Sequence, residues 1–131
     1  MRHMSALLNG RAYKMNDIQP DEVIPVNSLQ LIEFDNGFSG GGMMMDMPHP
    51  MHLHGEQFQI VKREIRPGSQ DNYQTVAPGF IDSGWKDVVL VMPGEKVTIL
   101  KPFNHFKGLF MYHCHNLEHE DMGMMRDFLV Q

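Results

Sequence analysis

Apolar residues recur along this chain in short alternating or β-branched runs, and Gly, Pro, Asn and Asp interrupt them at the spacing of an all-β domain. The three-and-four periodicity of an amphipathic helix is hard to find. Leu7-Leu8, Asn9-Gly10 and Ala12-Tyr13 read as a tight hairpin. Residues 23 to 34 supply one long strand or two short ones, ended by Asp35-Asn36-Gly37, and residues 39 to 50 form an irregular Gly/Met/Pro-rich loop. Residues 52 to 65 make the next strand region, with Leu53, Phe58 and Ile60 facing a core. A long loop is expected over residues 66 to 83. Residues 85 to 92, Pro93-Gly94 and residues 96 to 101 give the clearest hairpin pattern in the chain. Residues 109 to 113 form a strand entering the Cys114 loop, and residues 126 to 130 a last strand. Seven or eight strands suit a two-sheet sandwich with crossing connections.

Length and composition narrow this picture. A chain of 131 residues fits a single domain, residues 1–131, able to bury about two-thirds of its unfolded surface. Apolar runs such as residues 88 to 92 are far below the roughly 20 needed to span a bilayer. No secretory signal opens the chain, and residues 1 to 4 read as an expression remnant or the cut edge of something longer. A net charge of −5 without a basic cluster argues against a nucleic-acid partner. The single cysteine excludes an internal disulfide. Of thirteen methionines, five fall between Met43 and Met51 and three at Met122, Met124 and Met125, each group beside a histidine cluster.

Those clusters carry the chemistry. HPMHLHG covers residues 49 to 55, and HCH covers residues 113 to 115. In an extended chain side chains alternate faces, so His113 and His115 point one way and Cys114 the other. His52-Leu53-His54 repeats the pattern, with Leu53 turned to the core. Two such pairs on neighbouring strands could converge as nitrogen ligands for a pair of metal ions. On the opposite side, Cys114, His119 and Met124 follow one another at intervals of five, and His49 precedes the first pair. Thiolate, two imidazoles and a thioether are the ligand set of a blue-copper centre. Zinc is the rival, although it gains little from a thioether. His3 and His105 lack such spacing and read as ordinary surface residues. Residues 43 to 47 read equally as a floppy loop and as a soft docking surface for Cu(I).

The stretches HPMHLHGEQFQIV, GWKDVVLVMPGEKVTI and FMYHCHNLEHEDMGMM, with LLNGRAYKMN before them, resemble the C-terminal cupredoxin domain of multicopper oxidases, the laccase and cuprous oxidase group. The resemblance implies a Greek-key β-sandwich. It makes His49, Cys114, His119 and Met124 type 1 copper ligands, His52 a type 2 ligand, and His54, His113 and His115 type 3 ligands, with Met125 a core neighbour of the axial ligand. It implies electrons passing from a reducing substrate, phenol-like or Cu(I), through the Cys-His links to a three-copper cluster where dioxygen becomes water. Glu120 takes a provisional role in proton delivery and Asp46 in substrate or Cu(I) binding, each against a plain reading as a loop charge. A periplasmic or extracellular location follows from the resemblance alone.

The family's cluster needs eight histidines, four of them from the N-terminal domain. Beyond the six assigned histidines this chain has only His3 and His105. Completion therefore calls for a missing N-terminal cupredoxin domain, another subunit, or identical copies pooling their half-sites. By itself the chain would be a one-electron carrier or copper-binding module without oxidase turnover. The face carrying His52, His54, His113 and His115 is expected to be exposed or covered by a partner, since burying empty imidazole pairs is costly.

Overall fold

A computed structural model describes residues 18, 20–38, 47–115 and 125–131. The hairpin expected over residues 7 to 13 lies outside them, as do Asp46, His119, Glu120 and Met124. Eight strands are present among the described residues: β1 (Val23–Ile24), β2 (Ser28–Asn36), β3 (His49–Leu53), β4 (Gln59–Ile65), β5 (Val88–Val91), β6 (Glu95–Phe103), β7 (Gly108–Cys114) and β8 (Met125–Val130). They form a five-stranded sheet, ordered β1-β8-β7-β3-β5, and a three-stranded sheet, ordered β2-β6-β4. The all-β sandwich expected from the alternation is the observed architecture.

The period of two is visible strand by strand. In β2 every second residue is buried, Ile32 and Phe34 among them. In β3 His49, Met51 and Leu53 face inward while Pro50 and His52 are less covered. The inward side chains of both sheets meet in one core, with Phe58, Val97, Ile99, Tyr112 and Phe128 near its middle. Leu53 and Phe58 are buried as expected, and Ile60 packs against the core from a partly buried position.

Several local expectations are corrected. Residues 85 to 101 do not form a hairpin: β5 pairs with β3 and β6 pairs with β2 and β4, so the intervening turn carries the chain from one sheet to the other. The Glu95 N–H does close a tight turn on the Met92 carbonyl at 3.0 Å, which is the feature the Pro-Gly signal reports. Strand partnership is set by long-range pairing. Gly94 is needed there, because its φ is +76° and a Cβ would come within 2.3 Å of Ser69 Oγ. The strand region of residues 52 to 65 is likewise split, β3 and β4 lying in different sheets; His49 and Pro50, assigned to a loop, begin β3.

The long loop of residues 66 to 83 contains a helix, α1 (Gln70–Val76), and a 3-10 turn at Ala77–Gly79. Seven residues are too few to display a clear periodicity. Arg63 anchors this segment: its Nε and Nη2 donate to Asp82 at 2.8 and 3.1 Å, and its guanidinium lies 4.2 Å from the Phe80 ring centroid. The same side chain donates to Glu95 at 3.1 Å. Burial raises the Glu95 carboxyl pKa despite that partner.

Further charged groups are buried, among them Arg126, Glu22 and Lys101. Arg126 on β8 donates through Nε and Nη2 to the Glu22 carboxylate, both at 2.9 Å, and the Tyr112 hydroxyl donates to the same carboxylate at 2.9 Å. Burial pushes the Tyr112 hydroxyl far above its ordinary range, so it remains a donor. Lys101 on β6 is 0% exposed, and its Nζ has no hydrogen-bond partner among the described residues. Burial lowers its pKa to about 8, with Glu56 and Asp87 opposing the shift. The protonated form is the costly one in the folded state. That cost is full below about pH 8 and fades as pH rises towards the unfolded value of 10.5. Stability should therefore increase across this window, by at most about 3 kcal/mol, and Lys101→Met should flatten the dependence. Urea midpoints from pH 7.5 to 10 measure it; parallel curves for the two proteins would refute the assignment.

Candidate metal centre

The β3–β7 ladder builds the site. Met51 pairs with Cys114, and the next step pairs His52 with His113. Adjacent rungs present opposite faces, so sulfur belongs to one side and imidazole to the other. The His54 N–H donates to the Met111 carbonyl at 2.9 Å and the His115 N–H to the Pro50 carbonyl at 2.6 Å, extending the register beyond the ladder.

On the imidazole side, ligand atoms of His52, His54 and His113 all lie within 4.8 Å of one another. His54 Nε2 and His113 Nε2 are 3.1 Å apart. Two nitrogens bound tetrahedrally to one ion at about 2.0–2.1 Å stand about 3.3 Å apart, so this spacing fits shared coordination. The His115 ring centroid is 5.3 Å from that of His113 and 5.5 Å from that of His52. His113 Nδ1 lies 3.2 Å from the Cys114 carbonyl; a carbonyl accepts, so Nδ1 donates its proton there and the lone pair is left on Nε2, which faces His54. A cavity of about 340 Å³, lined by His52, His54, Glu56, Gln57 and Asp87 among others, opens beside the cluster. His115 is exposed and His52 and His54 are half-buried, in line with an open face. His113 departs from that expectation at 6% exposed, with the His52, His54 and His115 rings packed around it at centroid distances of 5.4, 5.2 and 5.3 Å.

On the sulfur side, Cys114 is 0% and His49 is 4% exposed, and Cys114 Sγ is 3.5 Å from His49 Nδ1. Asn36, itself buried, donates to the Met47 carbonyl at 2.9 Å and so fixes the approach to His49. Met125 is half-buried and pairs with His113 across the β7–β8 ladder.

Residues without a repeating pattern surround the histidines, and sequence inspection missed them. Glu56 accepts from the Asn104 N–H at 2.7 Å and pairs with His105 Nδ1, which gives that otherwise exposed histidine a partner. Burial would raise the Glu56 pKa, but these hydrogen bonds outweigh it and hold the carboxyl below its ordinary value. Asp87 presents its carbonyl to His52 Nδ1 at 2.7 Å. The only signal for Glu56 was its place two residues after His54.

The family model described as "Multicopper oxidase" matches residues 2–131. The multicopper oxidase mco of Staphylococcus aureus is 36% identical over 123 residues, 94% of this chain and 24% of the relative. The crystal structure of a multi-copper oxidase from Pediococcus acidilactici superposes with a TM-score of 0.68 at 34% identity, covering 98% of this chain and 25% of that one. A multicopper oxidase from Campylobacter jejuni, described as a metallo-oxidase, gives a TM-score of 0.70 at 27% identity, covering 93% of this chain and 22% of that one. The chain thus spans about a quarter of the length of these relatives.

Proposed function

Because the chain belongs to the multicopper oxidase family, we propose that it is a copper-holding domain serving two sites from one strand. His49 and Cys114, with His119 and Met124, would hold a type 1 copper. His52 would contribute to a type 2 site, and His54, His113 and His115 to a type 3 site, together half of an oxygen-reducing cluster. The observation that carries this reading is the ladder register, which sets Cys114 against Met51 and His113 against His52 one rung away. Copper supplies one-electron chemistry between Cu(I) and Cu(II) when bound.

The chain's own groups do the rest. Burial of His49 and Cys114 keeps water from the thiolate and limits rearrangement when the valence changes. The Cys114 backbone is bonded directly to His113 and His115, so a short covalent path joins the two sides. The remaining cluster ligands would come from a further cupredoxin domain or a second subunit, and a phenol-like compound or Cu(I) would be the reductant. Glu120 would serve in proton delivery and Asp46 in substrate or Cu(I) binding.

Adding Cu(II) to the purified chain should produce an intense visible thiolate-to-copper band. A colourless protein that retains zinc in preference would overturn the reading. The half-site has a second consequence: oxygen uptake by copper-loaded chain with a phenol or Cu(I) should stay at background. Robust uptake would show that copies of this chain complete the cluster between themselves.

A further inference from the structure

Building on the metal reading above, we propose that Gln57 and Asp87 are positioning residues that decide which nitrogen of His52 faces a metal ion. The Asp87 carbonyl lies 2.7 Å from His52 Nδ1. A carbonyl oxygen can only accept, so the proton sits on Nδ1 and the lone pair is left on Nε2. An imidazole free to rotate or change tautomer would offer either nitrogen; one whose far side is hydrogen-bonded offers a single donor in a fixed direction.

The carbonyl can act this way only if its own peptide is held. Its two neighbours are. Lys86 forms a bridge with Phe58 through two hydrogen bonds, of 2.9 and 2.7 Å, and Val88 pairs with His52 on the β3–β5 ladder. Asp87 is the link between these two pairings and belongs to neither. Its side chain supplies the missing restraint, since Gln57 Nε2 donates to Asp87 Oδ1 at 2.8 Å. Gln57 immediately precedes the bridge residue Phe58, so the contact spans the same two segments at their closest approach. His52, Gln57 and Asp87 share the wall of the 340 Å³ cavity, which places the clamp beside the ligand face rather than in the core. Asp87 is not a member of the three-histidine group, so it and its partner Gln57 act through His52.

The test uses the whole chain with Cu(II) as probe. Electron paramagnetic resonance of the non-blue signal follows the imidazole site separately from the thiolate site. Gln57→Leu should weaken Cu(II) binding there by about tenfold, the lower end of what losing an outer hydrogen-bond partner of a ligand costs. Asp87→Asn keeps the Oδ1 acceptor and should bind within about twofold of wild type, whereas Asp87→Leu should resemble Gln57→Leu. Pulsed measurements should show an altered remote-nitrogen signal in both leucine variants, while the blue band and the thermal midpoint of the metal-free chain stay close to wild type. Unchanged affinity and unchanged remote-nitrogen signal would overturn the clamp. So would an equal loss at both copper sites, which would mark general damage to the fold. A wild-type chain without any non-blue Cu(II) signal would instead refute the imidazole metal site itself.

Discussion

Cys114→Ser should abolish the visible band of the Cu(II)-loaded chain completely while leaving the non-blue imidazole signal in place. The thiol is fully buried, 3.5 Å from His49 Nδ1, on the core side of β7. Serine has nearly the same shape and takes the same side of the strand, so the substitution removes the soft ligand with little change in packing. An alkoxide is not accessible at neutral pH, and a neutral hydroxyl cannot replace thiolate as the covalent partner of copper. Absorption spectra of the two proteins at matched copper content measure the effect. Persistence of the band in the variant would place its origin elsewhere. Parallel loss of the imidazole signal would mean that the two sides of the strand are not independent.

Arg126→Met should lower folding stability by about 3–5 kcal/mol, the range for breaking a buried pair by removing one partner. Arg126 and Glu22 are both nearly inaccessible, and the guanidinium meets the carboxylate through two 2.9 Å contacts. The loss would leave Glu22 charged and buried, with Tyr112 as its remaining named donor. Set against a typical total of about 5–15 kcal/mol, such a change is large. The pair also explains how a two-residue strand holds its place: β1 joins β8 through only two register pairs, Val23 with Leu129 and Ile24 with Val130. Urea denaturation of the two proteins decides the point, and a difference below about 1 kcal/mol would mean that water compensates the charge. Tyr112→Phe is the milder companion, expected to cost about 1 kcal/mol.

What could be read from the sequence was whatever repeats at short range. The i, i+2 spacing of His52 with His54 and of His113 with His115 forecast two faces per strand, and the register of β3 on β7 realises that forecast. Leu53 and Phe58 were legible as core for the same reason. Partnership between distant strands was not. The Pro93-Gly94 turn looks the same whether its flanks pair with each other or diverge into different sheets, and here they diverge. Glu56, Gln57, Asp87 and Lys101 were also invisible, because their significance comes from neighbours up to about fifty positions away: Gln57 meets Asp87, and Glu56 meets Asn104 and His105. Arg126 and Glu22, separated by 104 positions, are the extreme case.

The claim that one strand serves two metal sites is tested most directly by the electron paramagnetic resonance spectrum of the wild-type chain loaded with Cu(II). Two superposed signals are expected, one with the compressed hyperfine splitting of copper bound to thiolate and one with the wide splitting of copper bound to imidazole alone. The first should vanish in Cys114→Ser and the second in His52→Ala. A single signal that responds to both substitutions would contradict the claim, because it would put sulfur and the paired imidazoles on the same ion.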